Sequence, residues 1–289
     1  MKENRKELND VIIYKGIRRK FYHILGIITL IVLCIIFFLP LYWMICTALK
    51  ESAYSFMTPP QWFPDPLTWD NFRQVFERMD FMKYVKNTLI TSVVPIIGTL
   101  FSCPMVAYSL TKIPWKGGRY LFPVILATMM IPSQAIIIAN YLTIADWGIR
   151  NTYAALILPN AAAAFAVFNM RQAFLTLPKE IHEAAEIDGC TNFKFLYTIG
   201  VPLIKPSLGA LIIYVFLQSW NYYLWPLLVT DSVNMRTVQI GLGMLQGAEA
   251  TDFRPVMAGA MVILIPSILV FIIGQKQMIS GLTAGAVKG

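Results

Sequence analysis

Residues 24–49 read ILGIITLIVLCIIFFLPLYWMICTAL, a run without one charged side chain. The hydrocarbon core of a bilayer takes roughly 20 apolar helical residues to cross, and it offers no partner to an open backbone N–H or C=O. The run therefore predicts a membrane-spanning helix, and five more segments repeat the pattern: 87–110, 120–144, 152–170, 207–230 and 255–274. Each is bounded by charge, as at Lys50, Lys112, Asp146, Arg171, Asp231 and Lys276. The whole chain shares the bias, with 57% of its 289 residues hydrophobic and only 14% charged, too apolar for an ordinary soluble domain. The expected fold is an all-α membrane protein of six transmembrane helices.

The first span follows a basic segment, 1–23, as in a signal peptide. Its apolar run far exceeds an h-region of about 7–15 residues and no A-x-A-like site follows, so a retained anchor is expected. Pro95, Pro132 and Pro226 lie inside spans. Packed neighbours in a membrane bundle can re-satisfy the carbonyls that prolines free, so kinks rather than ends are expected there. An even number of spans puts both termini on one side, which then carries twice as many lysines and arginines as the other. The positive-inside rule makes that side cytoplasmic. It assigns 171–205 and the tail 275–289 to the cytoplasm, and 51–86 and 231–254 to the outside of a bacterial-type inner membrane.

The net charge of +8 does not point to nucleic acid, because the aromatics sit in uncharged runs away from the basic residues. Cys34, Cys46, Cys103 and Cys190 form no CxxC pair, and His23 and His182 are the only imidazoles, so neither a disulfide framework nor a metal site is indicated. There is no G-x-x-x-x-G-K-[ST] run and no nucleophile elbow. An enzyme is not expected, and no cofactor is expected in this chain. An ion-coupled secondary transporter is the rival class, but the buried carboxylate or histidine relays and the inverted repeat common in such proteins are not evident.

The loop 171–205 has the grammar of two short helices. Thr176 is a candidate cap, Pro178 suits a first turn, and Glu180 and Glu183 favour the positive end of the helix dipole. Gly189 can close the helix in the left-handed conformation, and Thr191-Asn192 starts a second helix reaching about Ile199, before Pro202. Ile181, Ala184, Ala185 and Asp188 recur at helical spacing as a candidate contact stripe, with Phe193 and Leu196 seating the second helix.

Glu183-Ala184-Ala185, then Gly189, then Ile199, Val201 and Pro202, closely resembles the EAA loop of ABC importer permeases: EAA, three residues, G, nine residues, I-x-L-P. Val201 in place of leucine is the one departure. Trp62-Phe63-Pro64, Trp69-Asp70-Asn71-Phe72, Trp220-Asn221, Leu224-Trp225-Pro226 and the tail from Gly281 to Gly289 resemble the carbohydrate, maltose-type branch. The resemblance implies a type I permease fold over 24–274, with coupling roles for Glu183, Ala184, Ala185, Gly189, Ile199 and Pro202. It also implies a second permease subunit, a cytoplasmic ATPase dimer that carries ATP and Mg, an extracytoplasmic sugar-binding protein, and transport by alternating access. A permease for a non-sugar solute shares the same loop.

Two further groups are candidates. The segment 231–254 contains Gly241, Gly243, Gln246 and Gly247 and reads as a flexible loop able to reach the binding protein. Gln134, Asn140, Asn160, Gln218, Asn221 and Tyr222 sit at membrane depth, where uncharged amides and a phenol suit sugar hydroxyls but serve equally as interhelical hydrogen bonds.

Overall fold

The computed structural model describes residues 2–51, 60–113, 115–161, 164–248 and 252–283. Among them no strand forms, and the chain divides into two compact units, Met1–Gln74 with Thr251–Met261, and Val75–Ala250 with Val262–Gly289.

In the first unit, helix α1 runs unbroken from Lys2 to Ala48, so the basic segment and the first span are one helix. Every side chain from Lys20 to Leu41 is exposed. An apolar surface of that extent on all sides of a helix needs lipid or another chain around it. The end of α1 is closed by Asn71, which is wholly buried and whose amide donates to the carbonyls of Ala48 and Lys50 at 2.8 Å each. Helix termini leave carbonyls without partners, and this side chain satisfies that of Ala48 together with the Lys50 carbonyl just beyond the helix. Trp43 packs edge-on against Trp62, and the buried Lys50 ammonium lies 4.5 Å from the Trp43 ring centroid. The aromatic motif around Trp62 and Trp69 thus includes structural parts. Helix α2 follows, Asp70–Arg78.

The second unit is organised on α3, Phe81–Ser109, which begins six residues before the expected span and stays continuous through Pro95 and Pro104. It packs against α7, Ala164–Leu175, and α11, Lys205–Trp220. Between α3 and α7 come α4 (Gly118–Met129), α5 (Ser133–Asp146) and α6 (Tyr153–Ile157), the last extended by a 3-10 turn, Leu158–Asn160.

Among the described residues, three helices are individually long and apolar enough to cross a bilayer: α1 from Lys20, α3, and α14, Phe253–Thr283, over its part Phe253–Met278. Three bent pairs pass the same test together, and counting each as one span brings the number to six. The expected third span is one of them, and here expectation is corrected: α4 and α5 meet at 95° across residues 130–132, so Pro132 ends a helix rather than kinking it. The residue before proline is pushed out of the α region, and Met130, 84% exposed, has little packed around it to hold the chain straight. The fourth span runs on to Leu175 rather than 170. The fifth breaks after Trp220 and resumes as α12, Leu224–Val229. Pro226 accounts for the break, since its ring excludes the carbonyl of Tyr222 from helical bonding. Two buried indoles hold the broken ends: Trp220 donates to the Ile263 carbonyl and Trp225 to that of Ala155, both at 3.0 Å.

A second correction concerns 231–254. Instead of a flexible loop, α13 forms over Val238–Ala248, with Val238, Ile240 and Leu245 buried. Gly241 lies in it because a Cβ there would come within 2.6 Å of the Tyr84 ring. Close approach to α3, not mobility, explains that glycine. Helix α14 continues past 274 into the expected tail; the remainder of that motif, 284–289, lies outside the described residues.

Candidate functional site

After α7 the chain makes the helical hairpin expected from its sequence. Helix α8 spans Lys179–Ile187, with Pro178 at its N-cap position. Thr176 does not cap, because its hydroxyl donates back to the Ala173 carbonyl at 2.8 Å. The turn is closed by two bonds around Gly189, whose φ is +69°: Gly189 N–H to Glu186 O at 3.0 Å and Cys190 N–H to Ala185 O at 2.9 Å. This pairing is a Schellman closure, which needs a left-handed residue at the glycine position. It explains the fixed spacing between Ala185 and Gly189, since the carbonyl of one and the φ of the other belong to the same turn.

The second arm starts at Thr191, whose hydroxyl accepts from Lys194 N–H. Helix α9, Asn192–Phe195, passes into a π-helical turn, Leu196–Gly200, and then α10, Val201–Leu203. In the π turn Val201 N–H reaches Leu196 O, five residues back. The wider winding ends just before Pro202, which cannot donate to the ladder. Gly200 is buried there, with its Cβ position 3.1 Å from the Phe174 ring. At Ile204 the chain turns by 81° into α11, so this arm lies across the end of that helix.

The faces of the hairpin differ from the expected stripe. Ala185 is buried and Ile181 half-buried in a core with Tyr108, Phe174, Phe195 and Leu196. The exposed face instead carries Glu183, Ala184, Asp188 and Ile187, the last 86% exposed. Leu196 seats the second arm as expected, but Phe195, not Phe193, is its partner; Phe193 is 64% exposed. Ile199 is half-buried and Pro202 exposed.

A cavity of about 500 Å³ opens elsewhere in the same unit, among α3, α6, α7, α11, α12 and the facing ends of α4 and α5. Thr91, Ser133, Asn160, Gln218 and Tyr222 line it together with Phe165 and Tyr214, and none of the described lining residues is charged. Pro95 also lines it and, lacking an N–H, cannot make the helical bond to the Thr91 carbonyl four residues back. Of the sequence candidates, Asn160, Gln218 and Tyr222 meet here. Asn221 lies by an adjoining, more apolar cavity, its amide donating to Leu217 O and accepting from Gln239. Gln134 and Asn140, on α5, line neither. A Cβ added at Gly243 would come within 3.1 Å of the Tyr223 ring, Gln246 is exposed, and Gly247 lies within α13.

Hairpin and cavity lie within the region, residues 98–278, that matches the binding-protein-dependent transport system inner membrane component family, apart from the first cavity residues on α3. The chain belongs to that family. This inner membrane component is 32% identical over 271 residues to the arabinooligosaccharides transport system permease protein AraQ of Bacillus subtilis, covering 93% of this chain and 96% of the relative. It is 32% identical to the sn-glycerol-3-phosphate transport system permease protein UgpE of Brucella melitensis, over 92% and 97% of the two chains. Its fold matches a chain of a bacterial ABC transporter involved in the import of the acidic polysaccharide alginate, with a TM-score of 0.77 at 21% identity, over 89% of this chain and 96% of that one. The chain is thus a multi-pass membrane permease component with the all-α fold of an ABC importer.

Sequence reading missed residues that shape the permease's sites. Tyr108, Phe174 and Phe195 hold the hairpin, yet in sequence they are aromatics in apolar runs like many others. His182 carried a signal, as an imidazole in the motif helix.

Proposed function

We propose that this chain is the permease subunit of an ATP-driven importer for a neutral sugar or oligosaccharide, coupled to a separate ATPase through the hairpin 179–203. The observation that carries the cargo class is the cavity lining: amides, hydroxyls and aromatic rings without a charge. Sugar hydroxyls accept hydrogen bonds from Asn160, Gln218 and Tyr222 and donate to the Thr91 carbonyl, while Phe165 and Tyr214 offer ring faces. The arabinooligosaccharide relative supports this reading.

The hairpin face of Glu183, Ala184, Ile187 and Asp188 docks in a groove of the ATPase, the subunit that binds ATP and Mg. The alanine permits close approach, Ile187 supplies burial, and the carboxylates meet basic groups. ATP-driven closure of the ATPase pair draws the hairpins of two permease chains together, and rigid-body rocking opens the path outward. Hydrolysis returns it. Both termini and the hairpin are cytoplasmic in this arrangement, and a sugar-loaded binding protein docks on the opposite face.

Affinity purification of the tagged chain in mild detergent, with mass spectrometry and uptake of labelled neutral and acidic oligosaccharides by the same cells, tests the proposal. Recovery of an ATPase and a second permease, with neutral-sugar uptake lost on deletion, is expected. Isolation of a lone chain, or loss of only anionic cargo, would overturn it.

A further inference from the structure

Each arm of the hairpin sends one polar side chain to the same atom. The hydroxyl of Tyr108, one residue from the end of α3, lies 2.7 Å from His182 Nε2 on α8 and 2.8 Å from Asn192 Oδ1 on α9. A phenol has one proton to give, and the amide oxygen of Asn192 can only accept, so Tyr108 donates to Asn192. His182 must then donate from Nε2 to the Tyr108 oxygen. Its other nitrogen, Nδ1, faces Glu186 Oε1 at 3.7 Å. The Tyr108 ring is 3% exposed, with the rings of Phe174, His182 and Phe195 at centroid distances of 5.8–5.9 Å.

Apolar contacts under the hairpin, from Ala185, Phe195 and Leu196, resist separation but are not directional. Hydrogen bonds that tie both arms to one hydroxyl, one accepted from His182 and one donated to Asn192, fix the orientation as well. The other end of α3 is held in the same way. Asn87, 2% exposed, donates to the carbonyls of Asn234 and Arg236 at 2.8 and 2.9 Å and accepts from the Tyr153 hydroxyl, while Thr88 accepts from Val238 N–H. From Asn87 to Tyr108 the helix rises about 32 Å at 1.5 Å per residue. It is a rod with buried polar joints at both ends, and Thr91 and Pro95 on its length line the cavity.

We infer that the Tyr108–His182–Asn192 junction is a positioning element that makes the hairpin and α3 move as one body, so that force applied to the hairpin reaches the cavity wall. The inference rests on the hairpin being the ATPase-docking element. None of the three residues touches cargo or nucleotide in this account. Removing the hydroxyl leaves the ring packing in place but frees the hairpin to swivel, so hydrolysis proceeds with less transport.

The test uses the complete transporter in proteoliposomes and reads sugar moved per ATP hydrolysed, with ATPase recovery on purification as a separate readout. Tyr108→Phe should recover normal ATPase and lower the ratio several-fold. His182→Gln, whose amide nitrogen takes the place of Nε2, should keep the ratio, and His182→Leu should lose it; a helix that merely needs filling would not separate these two. An unchanged ratio in Tyr108→Phe overturns the junction. If Tyr108→Phe does not assemble, the His182 pair decides, and equal ratios in Gln and Leu overturn it. Glu183→Lys separates the two levels: normal ATPase recovery and transport in that variant would remove the docking reading itself.

Discussion

Ile187 and Ile181 lie on one short helix with opposite surroundings, and changing each to serine separates docking from folding. Ile187 is 86% exposed and Ile181 is half-buried against the core around Tyr108 and Phe195. Ile187→Ser removes little that the chain buries for itself, so its unfolding free energy should change by no more than about 0.5 kcal/mol. If the ATPase groove encloses that side chain, the lost burial amounts to about 1.5–3 kcal/mol, which weakens the dissociation constant by about 10–150-fold. Ile181→Ser should do the reverse, costing about 1–3 kcal/mol of stability by leaving a hole and a hydroxyl against apolar side chains, with docking weakened only through that loss. The assay is titration of the purified ATPase subunit onto the permease assembly in nanodiscs, with thermal unfolding followed in the same discs. Wild-type ATPase affinity in Ile187→Ser, or a melting loss matching that of Ile181→Ser, would refute the assignment of the exposed face.

Gly189→Ala should destabilise the hairpin by about 1–2 kcal/mol through its left-handed backbone alone, because nothing lies within 4 Å of the new Cβ; proteolytic nicking near residue 189 measures it. Gly241→Ala should cost about 1–3 kcal/mol by overpacking, since Tyr84 is buried and cannot withdraw, and a truncated Tyr84→Ala partner should make the second substitution nearly free of further cost in a thermal-melt cycle. Asn71→Ala should lower stability by about 1–3 kcal/mol, leaving the Ala48 and Lys50 carbonyls without their buried donor; a melting temperature equal to wild type would contradict the cap.

The membrane class and the hairpin were legible in the sequence because both rest on local chemistry. Twenty apolar residues in a row admit few environments, and the left-handed turn at Gly189 needs only glycine and its two neighbouring carbonyls. What the sequence left open depends on tertiary packing. Pro95 and Pro132 look alike in a hydropathy reading, yet α3 is held by α7 and α11 around the first, while the chain near Met130 is exposed and breaks. Gly241 and Gly243 read as mobility, but a glycine that admits Tyr84 and one that flexes are identical in one dimension. The inward turn of Ile181 and Ala185 follows from Phe174 and Phe195 lying beneath them, which no helical periodicity within 179–187 reveals. The cavity gathers Thr91, Ser133, Asn160 and Gln218 from four segments, so only some of its lining could be chosen beforehand.

As proposed, this chain moves a neutral oligosaccharide, driven by ATP hydrolysed in a partner docked on its hairpin. The most direct test loads proteoliposomes containing the assembled transporter with ATP, supplies labelled oligosaccharide and its binding protein outside, and follows accumulation with ion gradients collapsed. Uptake should persist without any gradient, stop without internal ATP, and fall to background in Glu183→Lys. Uptake that requires a proton or sodium gradient, or that is indifferent to ATP and to Glu183, would contradict it.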